Sequence, residues 1–350
     1  MHELKVLRTL VCRQSGDRHC MKDIFHASTV SSRVTAVLVA ALAVVPAAAL
    51  AEYPERPIRL IIASQAGGSP DTVMRILAAE LSRQVGQQIV IDNRPGGAQT
   101  IGTELIVRAN PDGYTIGYAN VVTLAINKSL LAKQPYDPDR DLQLVAHVLS
   151  TYNVLAVTHS LPVKSVKELV EHARRNPGKL LNASGGNGTT GHLGGELFKI
   201  MTGTKIVHVP YKGSPDGIRE LIAGQVHLMF DNLTSISPHV KADRVRGIGV
   251  SGPKRSPVFP DMPTISEAGV PGYETNAWGG VVVPVGTSRA VVMRLNAEIN
   301  KALQSATLRE RYAAIDAEPV GGTPEQWASY VKQESAKWAD VVRKSGAKID

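Results

Sequence analysis

The chain has 350 residues, with 39 Lys and Arg against 31 Asp and Glu, a formal net charge of +8. Aromatic residues make up only 5% and no basic stripe is interleaved with them, which argues against a nucleic-acid partner. Both cysteines, Cys12 and Cys20, lie near the start, so the rest of the chain has no disulfide, no thiol nucleophile and no cysteine metal ligand.

In chain order the first element is a leader. Val34 to Leu50 reads VTAVLVAALAVVPAAAL, preceded by Lys22 and Arg33 and followed by Ala49-Leu50-Ala51. That is the pattern of a secretory signal peptide, with cleavage expected after Ala51 and export to the periplasm. The 17-residue run is at the lower limit for a membrane span and holds a proline near its end, so an anchor fits less well. Met21 is an alternative start. The leader holds six Lys/Arg and three Asp/Glu, so the chain from Glu52 carries 33 basic and 28 acidic residues, a mildly basic surface. Its length, just under 300 residues, suits two domains.

Strand and helix signals then alternate. IRLIIAS is a buried strand, and SPDTVMRILAAELSRQVG is a helix with Ser69 as expected N-cap and Pro70 at its first position. QIVIDN is a strand, TIGTELIVRA a helix ended by the turn Asn110-Pro111-Asp112-Gly113, and YTIGYA a strand. YNVLAVT is a strand and SVKELVEHARRN a helix, followed by the strands KLLNAS, KIVHVPY, QVHLMF and VRGIGVS with helical stretches between them. SRAVVMRLNAEINKALQ is an amphipathic helix, and TPEQWASYVKQESAKWADVVRKSG begins with a capping box from Thr323 to Gln326. The alternation predicts an α/β fold of parallel or mostly parallel sheets covered by helices.

No linker separates the domains, so NVLAVTHSLPV and RGIGVSGPKRSP are expected to cross between them. The predicted organisation is a signal peptide at 1–51, a first domain from 52–156 and 251–350, and a second domain at 157–250. Ligands in such sheets bind at the carboxyl ends of strands, beside helix N-termini.

Three loops converge there. Gln65, Ala66, Gly67, Gly68 and Ser69 form the first. The second runs from Ala119 to Thr123 and offers Asn120 and Thr123. The third, Ser184 to His192, offers Ser184, Gly185, Asn187, Gly188, Thr189, Thr190 and His192. Glycines permit close backbone approach, and helix N-termini present free N–H groups to an anion. Each loop also reads as a plain tight turn. Tyr211 and Asp231, at the ends of later strands, complete the candidate set.

Gly186 to Gly191 matches G-x-G-x-x-G, the dinucleotide-binding pattern. The acid expected about 20 residues on is missing, since the next strand ends in Tyr211-Lys212. No G-x-S-x-G, H-E-x-x-H or G-x-x-x-x-G-K-[ST] occurs, so no enzyme class is marked. His147, His159, His172, His192, His208, His227 and His239 are scattered without metal-ligand spacing. His208 and His227 read as core or sheet-face residues. His192 either orients the third loop or packs its helix.

The chain resembles the substrate-binding proteins of tripartite tricarboxylate transporters, the Bug proteins, over nearly all of its length from Tyr53. The resemblance rests on YPERPIRLII, AGGSPD, DNRPGG, NPDGYT, PYDPDRDL, SGGNGTTGHLGGELF, HVPYKGS, GQVHLMFDNL, KRSP, FPDMPTISEAGVPGYE and PVGT, in that order. It implies a two-domain periplasmic binding protein fold, type II-like, with the ligand in the interdomain cleft. It also implies a small carboxylate ligand: a di- or tricarboxylate, an amino acid or an aromatic acid. Gln65 to Ser69 and Ser184 to Thr190 would hold its carboxylate from opposite domains. The implied partner is a membrane permease of two subunits, with a monomeric receptor and neither cofactor nor metal. The family usually has a bulkier, proline-rich turn at Ser64-Gln65, and small residues, commonly Ser, at Gly185 and Gly191. The expected role is solute capture for transport; a sensor partner of a signalling system, or a secreted enzyme acting on a small acid, are the alternatives. Thr189 is expected to donate to the ligand carboxylate. Asp231 is expected either to face the ligand or to cap the turn NLTSIS.

Overall fold

The computed structural model describes residues 53–349. The expected signal segment lies outside the described residues.

β1 (Ile58–Ile62) is an apolar strand buried at four of its five positions. α1 (Ser69–Val85) follows it after a six-residue turn. Its N-cap is Gly68, so Ser69 and Pro70 occupy the first helical positions and the Ser69 hydroxyl is not the cap expected from sequence. β2 (Ile89–Asn93), α2 (Thr100–Val107) and β3 (Thr115–Asn120) complete a parallel group in the order β2-β1-β3. A π-helical turn at Val122–Ile126 leads into the short α3 (Asn127–Leu130) and α4 (Pro138–Asp141).

β4 (Leu142–Val157) is the spine of the molecule. Beyond it come α5 (Val166–Arg175), β5 (Leu181–Ser184), α6 (Thr190–Thr202), β6 (Val207–Pro210), α7 (Ser214–Ile222), β7 (Leu228–Asn232), α8 (Leu233–Lys241) and β8 (Arg246–Val250). The chain closes with β9 (Asn276–Pro284), α9 (Arg289–Gln304), α10 (Ala306–Ala314), the two-residue β10 (Glu318–Pro319) and α11 (Pro324–Ser345).

The first part of β4, Leu142 to Tyr152, pairs antiparallel with β9, which in turn pairs antiparallel with β3. Its last part, Asn153 to Val157, pairs antiparallel with β7, and residues from Val154 onward also pair with β8. One strand therefore serves two halves, β2-β1-β3-β9-β4 and β8-β4-β7-β5-β6. The parallel pairs expected from sequence occur at the outer strands. The strands joining the halves are antiparallel, which corrects the expectation of a mostly parallel sheet.

Sequence patterning assigns no strand to β9 or to the first part of β4. In β4 two register shifts, at Leu144/Ala146 and His147/Leu149, break the two-residue alternation. In β9 an adjacent glycine pair weakens the strand signal. Both glycines are there because neighbours leave no space: a Cβ on Gly279 would lie 2.3 Å from the Tyr118 hydroxyl, and one on Gly280 would lie 2.0 Å from the Ala146 carbonyl.

Each half is a sheet between two helix layers. Alternate residues of one strand point to opposite faces, so Leu60 and Ile62 pack with α1 and α9 while Ile61 packs with Trp327 and Trp338 of α11. In the other half Leu228 and Phe230 face Leu169 and Phe198, and Met229 faces Ile218 and Leu221. Burying one such side chain stabilises the fold by about 1.5–3 kcal/mol. Among the described residues no helix is long and apolar enough to cross a membrane.

Candidate functional site

The carboxyl ends of strands from both halves open on one cleft of about 370 Å³. Of the described residues lining it, Lys212 carries the only cationic side chain and Asp231 the only carboxylate.

From the first half comes the loop between β1 and α1. Its shape is fixed by Asp71, whose carboxylate accepts from the Gly67 N–H at 2.9 Å and from Arg75 Nε at 2.9 Å. Burial works against ionisation of Asp71, but these donors hold its carboxyl below the usual range. The N–H of Ser69, at the first helical position, has no intrahelical acceptor. Ser69 is 4% exposed, and its Oγ accepts from the Thr234 hydroxyl of the second half. Two buried polar atoms in this wall, Ser64 Oγ and Gln65 Oε1, have no hydrogen-bond partner in the protein.

From the second half comes the glycine-rich loop between β5 and α6. Gly188 sits at φ +80, a conformation costly for residues with a Cβ, and its N–H donates to His192 Nδ1 at 3.1 Å. Thr189 is the N-cap of α6: its hydroxyl accepts from the His192 N–H at 3.3 Å and donates to the Gly186 carbonyl at 2.8 Å. Its single proton is thus given within the loop, contrary to the expectation that it donates to a ligand. The donors left at this helix end are the N–H groups of Thr190 and Gly191.

His192 and His208 stack behind the loop, with ring centroids 4.0 Å apart. His208 Nε2 and Ser184 Oγ are 2.7 Å apart, and Ser184 Oγ accepts from the Gly186 N–H. Burial pushes His192 down to about 4, with Lys199 adding to the effect. Burial, then His192 and Lys199, push His208 down to about 3. Both rings are therefore neutral at neutral pH, which leaves His192 Nδ1 free to accept from Gly188. His208 lies on β6, a sheet residue as expected, and from there it also braces the loop through Ser184.

Asp231, the penultimate residue of β7, lies on the cleft wall, 5% exposed. Ser214 Oγ, at the start of α7, donates to Asp231 Oδ1 at 2.6 Å, and Ser235 Oγ of α8 donates to Oδ2. Burial raises its carboxyl to about 6, against the stabilising pull of these two hydroxyls and of the Asn232 backbone. The N-cap of α8 is Asn232, so Asp231 does not cap that helix through its first N–H groups.

The two walls touch. Gln65 Nε2 donates to Asp216 Oδ2 of α7 at 3.3 Å, and the Cβ positions of Gly67 and Gly68 lie 3.7 and 3.9 Å from the Pro215 ring.

Of the residues singled out from sequence, Gln65, Gly68, Ser69, Asn120, Gly185, Asn187, Thr189, Thr190, Tyr211 and Asp231 line the cleft. Ala66, Gly67, Thr123, Ser184, Gly188 and His192 do not; they shape its walls from behind. Thr123 is fully buried and its Oγ1 accepts from the Asn120 N–H. Sequence reasoning missed the Gly96–Gln99 loop, whose Gln99 Oε1 accepts from Asn120 Nδ2 at 3.0 Å, and the start of α7 with Gly213 and Ser214. A signal for the second was present: Gly-Ser-Pro-Asp stands at 68–71 and again at 213–216, each time opening a helix. At Gly191, where the resemblance suggests a larger residue, a Cβ would lie 2.2 Å from the Phe230 carbonyl, so here helix and strand pack backbone to backbone.

Residues 73–347 match the family model described as tripartite tricarboxylate transporter family receptor. The chain is 35% identical to Protein BugT of Bordetella pertussis, over 85% of this chain and 91% of that protein. Among solved structures it is similar to an R. palustris protein with adipate, at TM-score 0.84 and 39% identity, covering 85% of this chain and all of that one. It is also similar to the periplasmic binding protein BugD, at TM-score 0.81 and 31% identity, covering 85% of this chain and 99% of that one. On the match over residues 73–347 and these relatives, the chain belongs to the tripartite tricarboxylate transporter receptor family, as a periplasmic solute-binding protein of that family.

Proposed function

We propose that the cleft captures one small carboxylate and presents it to a membrane permease of two subunits, with no chemical change to the solute. The observation that carries this reading is the meeting of two helix N-termini, at Ser69 of α1 and at Thr190 and Gly191 of α6, on opposite walls of one cleft. Each helix end offers N–H groups and about half a unit of positive charge to an anion. The buried, unpartnered Ser64 Oγ and Gln65 Oε1 suit a ligand or its bridging water, since leaving such atoms unpaired costs about 1–3 kcal/mol each. The volume suits a molecule of metabolite size. The adipate held by the R. palustris relative is of that kind.

The two lobes of this receptor are residues 53–156 with 251–349, and residues 157–250. Their crossing is braced at Ser251, which accepts from the Asn153 N–H at 2.8 Å and donates to the Thr275 carbonyl at 2.6 Å. Closure about this crossing brings Gln65 to Asp216 and Ser69 to Thr234. The protein acts as a monomer, exported by cleavage after Ala51. Mass spectrometry of freshly purified, denatured protein tests the reading. A stoichiometric carboxylic acid supports it; a stoichiometric neutral or cationic solute overturns it.

A further inference from the structure

We infer that Asp231 takes up a proton when a dicarboxylate without a hydroxyl or ammonium group enters the cleft, so that such a solute is bound together with one proton. This rests on the reading of the cleft as a carboxylate site and adds a second partner to it.

The argument starts from what surrounds Asp231. Its strand β7 is packed by β4, β5, α6, α7 and α8. β4 brings Asn153 and Val154 alongside it, and β5 brings no titratable residue. α6 brings Gly191 against the neighbouring Phe230 carbonyl. α7 and α8 bring the hydroxyls of Ser214 and Ser235. The charged groups of these elements are engaged elsewhere. Asp216 pairs with Arg219 and Gln65, Glu196 pairs with Lys199, and Lys241 donates to the Ala314 carbonyl. Among the described residues no cation pairs with Asp231. Lys212 and Tyr211 line the same cleft without bonding to it, and His192 and His208 stand behind the β5–α6 loop of the same half and make no bond to Asp231.

Asp231 is thus a buried carboxylate held by neutral donors alone, and the starts of α7 and α8 already face it. The helix ends left for a ligand are those of α1 and α6. A second anion brought into the same 370 Å³ space meets Asp231, which has no cation paired to it among the described residues. Two carboxylates sharing a dry site do not both stay ionised; the one in the less polar setting gains a proton. Asp231 has its affinity for protons already raised by burial, to about 6, so it is the group that titrates. The proton comes from solvent and sits on a carboxylate oxygen; no bond to the ligand forms or breaks.

The test is titration calorimetry of adipate into the ligand-stripped protein at pH 7, in phosphate and in Tris. The dependence of the heat on buffer ionisation gives the protons exchanged. The expected uptake is about one proton per adipate, falling to near zero in Asp231→Asn. If Asp231→Asn does not fold, Ser235→Ala serves: removing one donor raises the proton affinity of Asp231 in the free protein, so the uptake on binding decreases. Tight binding with no uptake overturns the inference and leaves the carboxylate reading intact. Uptake that persists unchanged in Asp231→Asn also overturns it and assigns the proton to the His192–His208 pair or to the ligand. If no carboxylate binds, the carboxylate reading falls and this inference with it.

Discussion

Gln65, in the loop after β1, donates across the cleft to Asp216 on α7, with 3.3 Å between Nε2 and Oδ2. The bond joins the two walls, and the Gln65 side chain covers Gly213, whose Cβ would lie 2.7 Å from that of Gln65. Gln65→Ala should favour the open arrangement. One such bond contributes about 0.5–1.5 kcal/mol, so ligand affinity should drop about three- to tenfold. Small-angle scattering should show a larger radius for the ligand-free variant and an unchanged radius when loaded. Wild-type affinity and scattering in the variant would remove the latch.

Thr189 carries a structural duty that its sequence context hides. The hydroxyl caps α6 and closes on Gly186. Thr189→Val should therefore destabilise the protein by about 0.5–2 kcal/mol, and Thr189→Ser should keep wild-type stability. Urea unfolding of both variants checks this. A stable Val variant with lost affinity would return Thr189 to direct ligand contact.

Much of this architecture was legible in the sequence because local chemistry agreed with the fold. Thr323 caps its helix through the capping box read from sequence, and the helical stretches read from Ser165 and Ser288 do start there, with those serines as caps. The glycine loops after β1 and β5 do lie at strand ends on a common cleft. The unread parts depend on long-range contacts. Ser69 looks like a cap but is drawn to Thr234, 165 residues away. His208 is the sheet residue its context suggests, but its contact with Ser184 appears only when β5 and β6 pair. The Gly96–Gln99 loop ends in Ala98 and Gln99 at positive φ, a conformation their residue types do not announce.

Ser251 should prove to be a stability residue at the crossing of the halves. It is fully buried and joins Asn153 to Thr275. Ser251→Ala leaves a buried N–H and a buried carbonyl without these partners, at a cost of about 1–3 kcal/mol. Chemical denaturation should show a lower midpoint with an unchanged slope. An unshifted midpoint would mean that the crossing does not depend on this hydroxyl.

Asp231 makes a pH prediction with a definite sign. Its carboxyl is raised to about 6 in the folded protein, above the ordinary value of 3.8. The folded state therefore binds the proton more tightly than the unfolded state. The associated stability is fully present below about pH 4 and is lost as pH rises through about 6, on the order of 3 kcal/mol in all. Asp71 and Asp92 are lowered and act in the opposite sense, so the comparison to make is wild type against Asp231→Asn. The variant should gain stability relative to wild type between pH 4 and 6.5. A constant difference across that range would contradict the raised value.

The most direct measurement is calorimetric titration of the refolded, ligand-free protein with a panel of mono-, di- and tricarboxylates and acidic amino acids, each beside its uncharged amide. If the α1 and α6 helix ends hold a carboxylate, at least one acid binds with one-to-one stoichiometry and its amide binds at least about a hundredfold more weakly, the scale of two charge-assisted bonds. An amide that binds as tightly as its acid, or a panel in which no acid binds, would contradict the account.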